Sequence, residues 1–228
     1  MAKTPDIAQI AEARAYILQM TSRQALLEDE LHAEYEEAVS RLAQIILKYR
    51  NRGQRLRFTG NGPMAREVQQ VMDDLQAHID ELVAYHSIPD EAESEEEEDA
   101  VLARVHEKDH GYTYDDRRTL YMSSFLSAVA EIDYGDVYDL AIAEEAMREA
   151  ASRAEDRMEL LAVNSVAIGF AFLAEMQAKG KGAIGFITYP GSDHPCSYCE
   201  DRFYRLQPMT EPKPPYHPRC RCLTVYVY

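Results

Sequence analysis

His194-Pro195-Cys196-Ser197-Tyr198-Cys199 and, after seventeen intervening residues, His217-Pro218-Arg219-Cys220-Arg221-Cys222 together hold all four cysteines of the chain and two of its seven histidines. Written as C-x2-C-x17-H-x2-C, the stretch has the spacing of a tetrahedral zinc site, in which two short pairs each lend two ligands across a loop. A Cys-x-x-Cys can curl so that both sulfurs face one ion. Pro218 fixes the turn that lets His217 and Cys220 do the same. Soft and borderline donors favour zinc over magnesium or calcium, which take oxygen.

Working outward, the segments on either side read as strands. Residues 183–189 form an apolar run closed by Pro190-Gly191, and 223–228 alternate as a terminal strand. Paired, they make a small sheet with little core of its own, which a metal would hold in place. The ligand set favoured by the three-residue offsets is Cys196, Cys199, His217 and Cys220. Cys222 stands in reserve: in extended chain it points to the same side as Cys220 and could replace His217. No base adjoins the set and no coordination position is left open, so one structural zinc per chain is expected rather than a catalytic one.

Asp193, Cys196, Cys199, Pro214, Pro215, His217, Pro218, Cys220, Arg221 and Cys222 together resemble the C-terminal signature of the phage Mu F-like head-morphogenesis family. The resemblance extends over roughly residues 137–228, including the helix, glycines and short strand that precede the motif. It implies a minor head protein of a tailed bacteriophage, a non-enzymatic assembly component near capsid and portal. Such a protein would meet the portal or major capsid protein and reside in the virion after assembly in the host cytoplasm. One departure is the turn after the second Cys. The family often has a glycine-containing turn there, whereas this chain has Glu200-Asp201-Arg202-Phe203-Tyr204.

The rest of the chain is helical in pattern. Thr4-Pro5-Asp6 is a helix start, and Ile17, Met20, Leu27, Leu31, Tyr35, Ala38, Leu42, Ile45 and Tyr49 keep a three-four rhythm. That predicts a long amphipathic helix, with a break near Thr21-Ser22 where Gln24 interrupts the stripe. Residues 48–66 read as a glycine-rich loop with a short strand at 55–59. A second helix covers 64–86, and Pro89 stops it. Further helices are expected over 100–111, 114–132 and 137–179, the last as one helix or two. Residues 89–99, carrying eight acids, read as an extended solvated linker between an N-terminal interaction region (1–88) and a head-morphogenesis-like domain (100–228). The fold class is therefore mainly α: long N-terminal helices and a helical core with a small C-terminal zinc-clipped β element, α+β in that restricted sense.

Composition narrows the function classes. At 228 residues and 46% hydrophobic content the chain can bury a substantial core. Its net charge of −16 argues against a general nucleic-acid coat. The start of the sequence opens no signal-peptide core, and the apolar run 160–176 is short for a membrane span, so no membrane partner is expected. In a reducing cytosol, clustered cysteines are more often metal ligands than disulfides. Two alternatives have residues behind them. His106-Glu107-Lys108-Asp109-His110 spells H-E-x-x-H, which on a helix would put His106 and His110 on one face of a zinc hydrolase with Glu107 as base. Arg50, Arg52, Arg55 and Arg57 form a basic run that could touch packaged DNA, alone or with a nucleic-acid-binding zinc module. No phosphate loop or nucleophile elbow is present.

Overall fold

The computed structural model describes residues 6–107, 111–135, 137, 139–191, 197–215 and 220–228. Among them the chain is mainly helical with one small antiparallel sheet, in the order α1 (Ile7–Asn51), α2 (Pro63–Ser87), α3 (Glu95–Val105), α4 (Tyr114–Ala130), α5 (Leu140–Gly180), β1 (Gly185–Tyr189), α6 (Ser197–Glu200), β2 (Leu206–Pro208) and β3 (Leu223–Val227). Two compact units divide it. One comprises Met1–Leu27, Ala84–Glu107 and Ala162–Tyr228, and the other Glu28–Val83 and Lys108–Leu161. Residues 84–107, which contain the expected 89–99 linker, lie inside the first unit.

Helix ends follow local chemistry. Asp6 caps α1: the Gln9 N–H donates to Asp6 Oδ1 at 2.9 Å, and the Asp6 N–H to Gln9 Oε1 at 3.0 Å. The cap is therefore two residues later than the expected Thr4, which lies outside the described residues. At the other end, Gly53 adopts φ +63, its N–H donates to Arg50 O, and the Gln54 N–H donates to Tyr49 O. Gly182 ends α5 in the same way, at φ +82 with the Ala183 N–H on Ala178 O. Both are left-handed glycine caps that satisfy the last carbonyls. Thr113 and Asp116 form a reciprocal capping box on α4.

In the second unit, α1 buries Leu31, Tyr35, Ala38, Leu42, Ile45 and Tyr49 at three- and four-residue spacing. α2 contributes Val68, Val71, Met72, Leu75 and Ile79, α4 Phe125 and Val129, and α5 Met147 and Met158. Half-buried ion pairs such as Arg41–Asp74 and Lys48–Glu67 edge this core. The expected strand at 55–59 is absent; the loop there is short and bracketed by glycines, and offers no neighbouring strand.

The first unit positions the cysteines. α1 does not break near Thr21-Ser22. Gln24 stays in the stripe, 6% exposed, because its Nε2 donates to Val163 O of α5 at 2.9 Å. Tyr16 donates to Phe170 O at 2.8 Å and packs its ring on Phe170. Gly169 lies so close to the end of α2 that a Cβ there would sit 2.1 Å from Ser87 O. The acidic run is not an extended linker. Asp90 is held by Arg23 and Gln19 of α1, and Gln177 donates to Glu91 O. From Glu95 the run is helical, because Ser94 caps it and four glutamates occupy the first turn, where the helix dipole favours negative charge. An 18-residue window of α5 is long and apolar enough to cross a membrane, and 56% of it is buried inside the protein, as in a core helix.

The sheet runs β2-β1-β3, with β1 antiparallel to both neighbours. The two strands expected on either side of the cysteine motif pair directly, Phe186 opposite Tyr226 and Thr188 opposite Thr224.

Candidate metal centre

Cys199 is carried by α6, a single turn, and the chain after it is tied back to the sheet. The Arg202 N–H donates to Cys199 O, the Phe203 N–H to Glu200 O, and the Tyr204 N–H to Thr188 O of β1. Tyr204 has φ +60, the left-handed region that favours glycine. Here the ring of Tyr204 packs edge-on against Tyr189 at 5.4 Å, which helps offset the backbone strain.

Cys220 and Cys222 come from the extended segment entering β3. Alternation places both on one side, with Arg221 exposed between them. Gly191, just past β1, packs on that segment: a Cβ at 191 would lie 1.4 Å from Arg221 O. From another direction, Lys213 anchors the preceding loop. Its Nζ donates to Met209 O at 2.6 Å, pairs with Glu175 of α5 at 3.1 Å and lies over the Phe186 ring. Burial works against ionisation of Glu175, yet the hydrogen bonds from Lys179 and Lys213 outweigh it and hold the carboxyl below its usual range.

These elements bring three thiols together. The Sγ atoms of Cys199, Cys220 and Cys222 all lie within 4.8 Å of one another, and the residues are 0%, 2% and 8% exposed. None of the three is disulfide-bonded. With Zn–S bonds of about 2.3 Å, the edge of a tetrahedral thiolate site is about 3.8 Å. The trio therefore needs only small side-chain adjustment to face one ion. Phe203 packs with them in an apolar cluster. Without a cation, such surroundings keep thiols protonated: the hydrogen bond with Cys220, then burial, then the neighbouring sulfurs push the Cys222 thiol far above the ordinary range. A soft dication supplies the charge that buried thiolates require. Three close, buried cysteines thus could hold a metal ion.

Of the five residues singled out in the sequence, the structure joins Cys199, Cys220 and Cys222. Cys196 and His217 lie outside the described residues. Cys222, placed in reserve on spacing alone, belongs to the cluster. Among the described residues no other group of His, Cys, Asp and Glu is gathered in this way. In the H-E-x-x-H motif, α3 ends at Val105, so His106 is the cap residue rather than part of a helical face. Glu107 pairs with Arg104, and His110 lies outside the described residues. In the basic run, Arg50 donates to Gly135 O, while Arg52, Arg55 and Arg57 are exposed. No protein-family model, curated protein or solved structure matches this chain.

Proposed function

We propose that this chain is a phage minor head protein of the head-morphogenesis type, with one structural zinc ion bound by Cys199, Cys220 and Cys222 and completed by Cys196 or His217. The observation that carries the metal part is the trio of buried, reduced thiols, formed where the C-x2-C and H-x2-C-x-C pairs lie in sequence. The head-protein part rests on the resemblance of residues 193–222 to the family signature. In this reading the ion joins α6, the segment entering β3 and the terminal sheet, and no reaction is catalysed. α1 offers Leu18 and Leu26, both more than half exposed and eight residues apart, to a neighbouring portal or capsid protein.

Elemental analysis of protein purified without chelator tests the metal. About one zinc per chain is expected, lost in both Cys220→Ser and Cys222→Ser. Zinc retained in Cys222→Ser would remove that residue from the ligand set, and no zinc in reduced, folded protein would end the metal reading. The assembly part is tested separately, by co-expression with the portal and major capsid proteins encoded near this gene. The chain is expected in the purified particles, with Leu18→Glu/Leu26→Glu lowering its incorporation. Particles formed without it, or a gene neighbourhood lacking both partners, would overturn the head-protein reading.

A further inference from the structure

Arg52, Arg55, Arg57 and Arg66 lie within fifteen residues, and no acidic residue occurs between 51 and 66. All four are exposed, on the loop between α1 and α2 and the first turn of α2. Among the described residues none of the four side chains takes part in a hydrogen bond or ion pair, in a chain where Arg23, Arg41, Arg118 and Arg148 each pair with a carboxylate. The acids beside the loop are engaged. Glu67 accepts from Lys48 and Tyr49, so that Arg52 adds only a weak field to it, and Asp133 accepts from the Gly135 N–H.

The loop is nonetheless held. Its start is fixed by the Gly53 cap and by Arg50 on Gly135 O, and its end by the Arg57 N–H on Met64 Sδ. Phe58, the aromatic residue of the loop, stacks on Tyr134 at 6.0 Å. It is therefore occupied within the protein rather than presented to a base. Guanidinium groups on a fixed loop with no free aromatic ring suit phosphates, and lack the stacking platform that single-stranded nucleic acids use.

We infer that the loop 52–66 binds the phosphate backbone of duplex DNA through Arg52, Arg55, Arg57 and Arg66 without reading sequence. The net charge of −16 does not prevent this, because at about 0.1 M salt charges beyond roughly 10 Å are screened. The inference takes from the head-protein reading only that DNA is close by, and it stands or falls on the loop alone.

The test is fluorescence anisotropy with two unrelated 30-base-pair duplexes, a single strand and polyglutamate, from 50 to 200 mM salt. Four phosphate contacts give a slope of about −3.6 in log K against log salt, on the order of a 100-fold loss of affinity over that range. Both duplexes are expected to bind equally, and polyglutamate and the single strand more weakly. Changing all four arginines to glutamine should abolish binding, whereas changing all four to lysine should retain it, each with an unchanged melt and zinc content. No duplex binding at 50 mM salt, equal binding by the glutamine variant, or tighter binding of polyglutamate or single strand would overturn the inference. None of these outcomes bears on zinc stoichiometry or on incorporation into particles, which are read separately.

Discussion

Gly169→Ala is a substitution whose sign distinguishes two physical effects. In an unobstructed helix, replacing glycine with alanine stabilises by about 1 kcal/mol, since glycine loses more backbone entropy on folding. At position 169 of α5 the added Cβ would fall 2.1 Å from Ser87 O and 3.1 Å from Val101 Cγ1, and both Ser87 and Val101 are fully buried. The first distance is about 1 Å short of the 3.0 Å below which Cβ contacts essentially do not occur. Because the clashing atom is backbone, no side-chain rotation relieves it, and the end of α2 must move away from α5. Overpacking a dense interior costs about 1–3 kcal/mol, and a backbone clash belongs at the upper end. After the propensity gain is subtracted, the net loss is about 2 kcal/mol, or a fall in melting temperature of roughly 4–8 °C for a chain of this size. Circular dichroism at 222 nm measures it. Gly180→Ala is the control, because nothing lies within 4 Å of its Cβ position; its melting temperature should hold or rise, by up to about 2–4 °C. A Gly169→Ala protein as stable as the parent or more so would show that α5 and Ser87 are not in backbone contact.

Gly191→Ala tests the proposed zinc site from a distance. Its Cβ would displace Arg221 O by well over 1 Å, while metal–ligand distances tolerate about 0.2 Å, so cobalt substituted at the site should lose its thiolate charge-transfer bands and zinc its stoichiometry. Bands identical to the parent's would refute the close approach. Glu175 has a depressed pKa in the folded state, so its contribution is present above the unfolded value near 4.5 and is lost as pH falls through the folded value. Lys213→Met should therefore cost stability at pH 7 and progressively less below about pH 4.5; a pH-independent difference would mean that the methylenes matter, not the charge. His78 has the opposite sign. Its hydrogen bond to Glu34 raises its pKa, so this stabilisation is complete below the unfolded value near 6.5 and lost as pH rises through the folded value. An NMR titration should place His78 above 6.5 in the parent and lower in Glu34→Gln, and equal midpoints would exclude the pair in solution.

The helices were legible because an apolar stripe and a cap are local signals. Leu31, Tyr35, Ala38, Leu42, Ile45 and Tyr49 declare one buried face of α1, and that face is buried. What misled was polarity whose partner is remote in sequence. Gln24 looks like an interruption until Val163 O, 139 residues away, accepts its hydrogen bond. Asp90 and Glu91 look like solvated linker until Arg23 and Gln19 of α1 and Gln177 of α5 reach them. Glutamates that repel one another in extended chain become favourable in a first helical turn behind Ser94. β2 was missed because three residues ending in proline are too short to show alternation. It exists because β1 offers it a ladder.

At the candidate metal site the spacing points to five residues, of which the structure brings Cys199, Cys220 and Cys222 together. The three-residue offset of Cys196–Cys199 and His217–Cys220 treats each pair as an isolated turn, whereas Cys220 and Cys222 belong to chain already entering a strand. In extended backbone the offset that aligns two side chains is two, not three. Cys220, Cys222, Thr224 and Tyr226 accordingly follow one parity and border a recess with Tyr16 and Phe170, while Leu223, Val225 and Val227 fill the other face. The placement of the Cys220 and Cys222 thiols is thus set by the β1–β3 register and by the contact of Gly191 with Arg221. Cys199 depends instead on a single helical turn and on the bond from Tyr204 to Thr188. A metal joining the two would contribute most of its stability to α6 and the turn through Tyr204, the part of the sheet with the least packing of its own, and chelation should loosen that turn before it loosens β3.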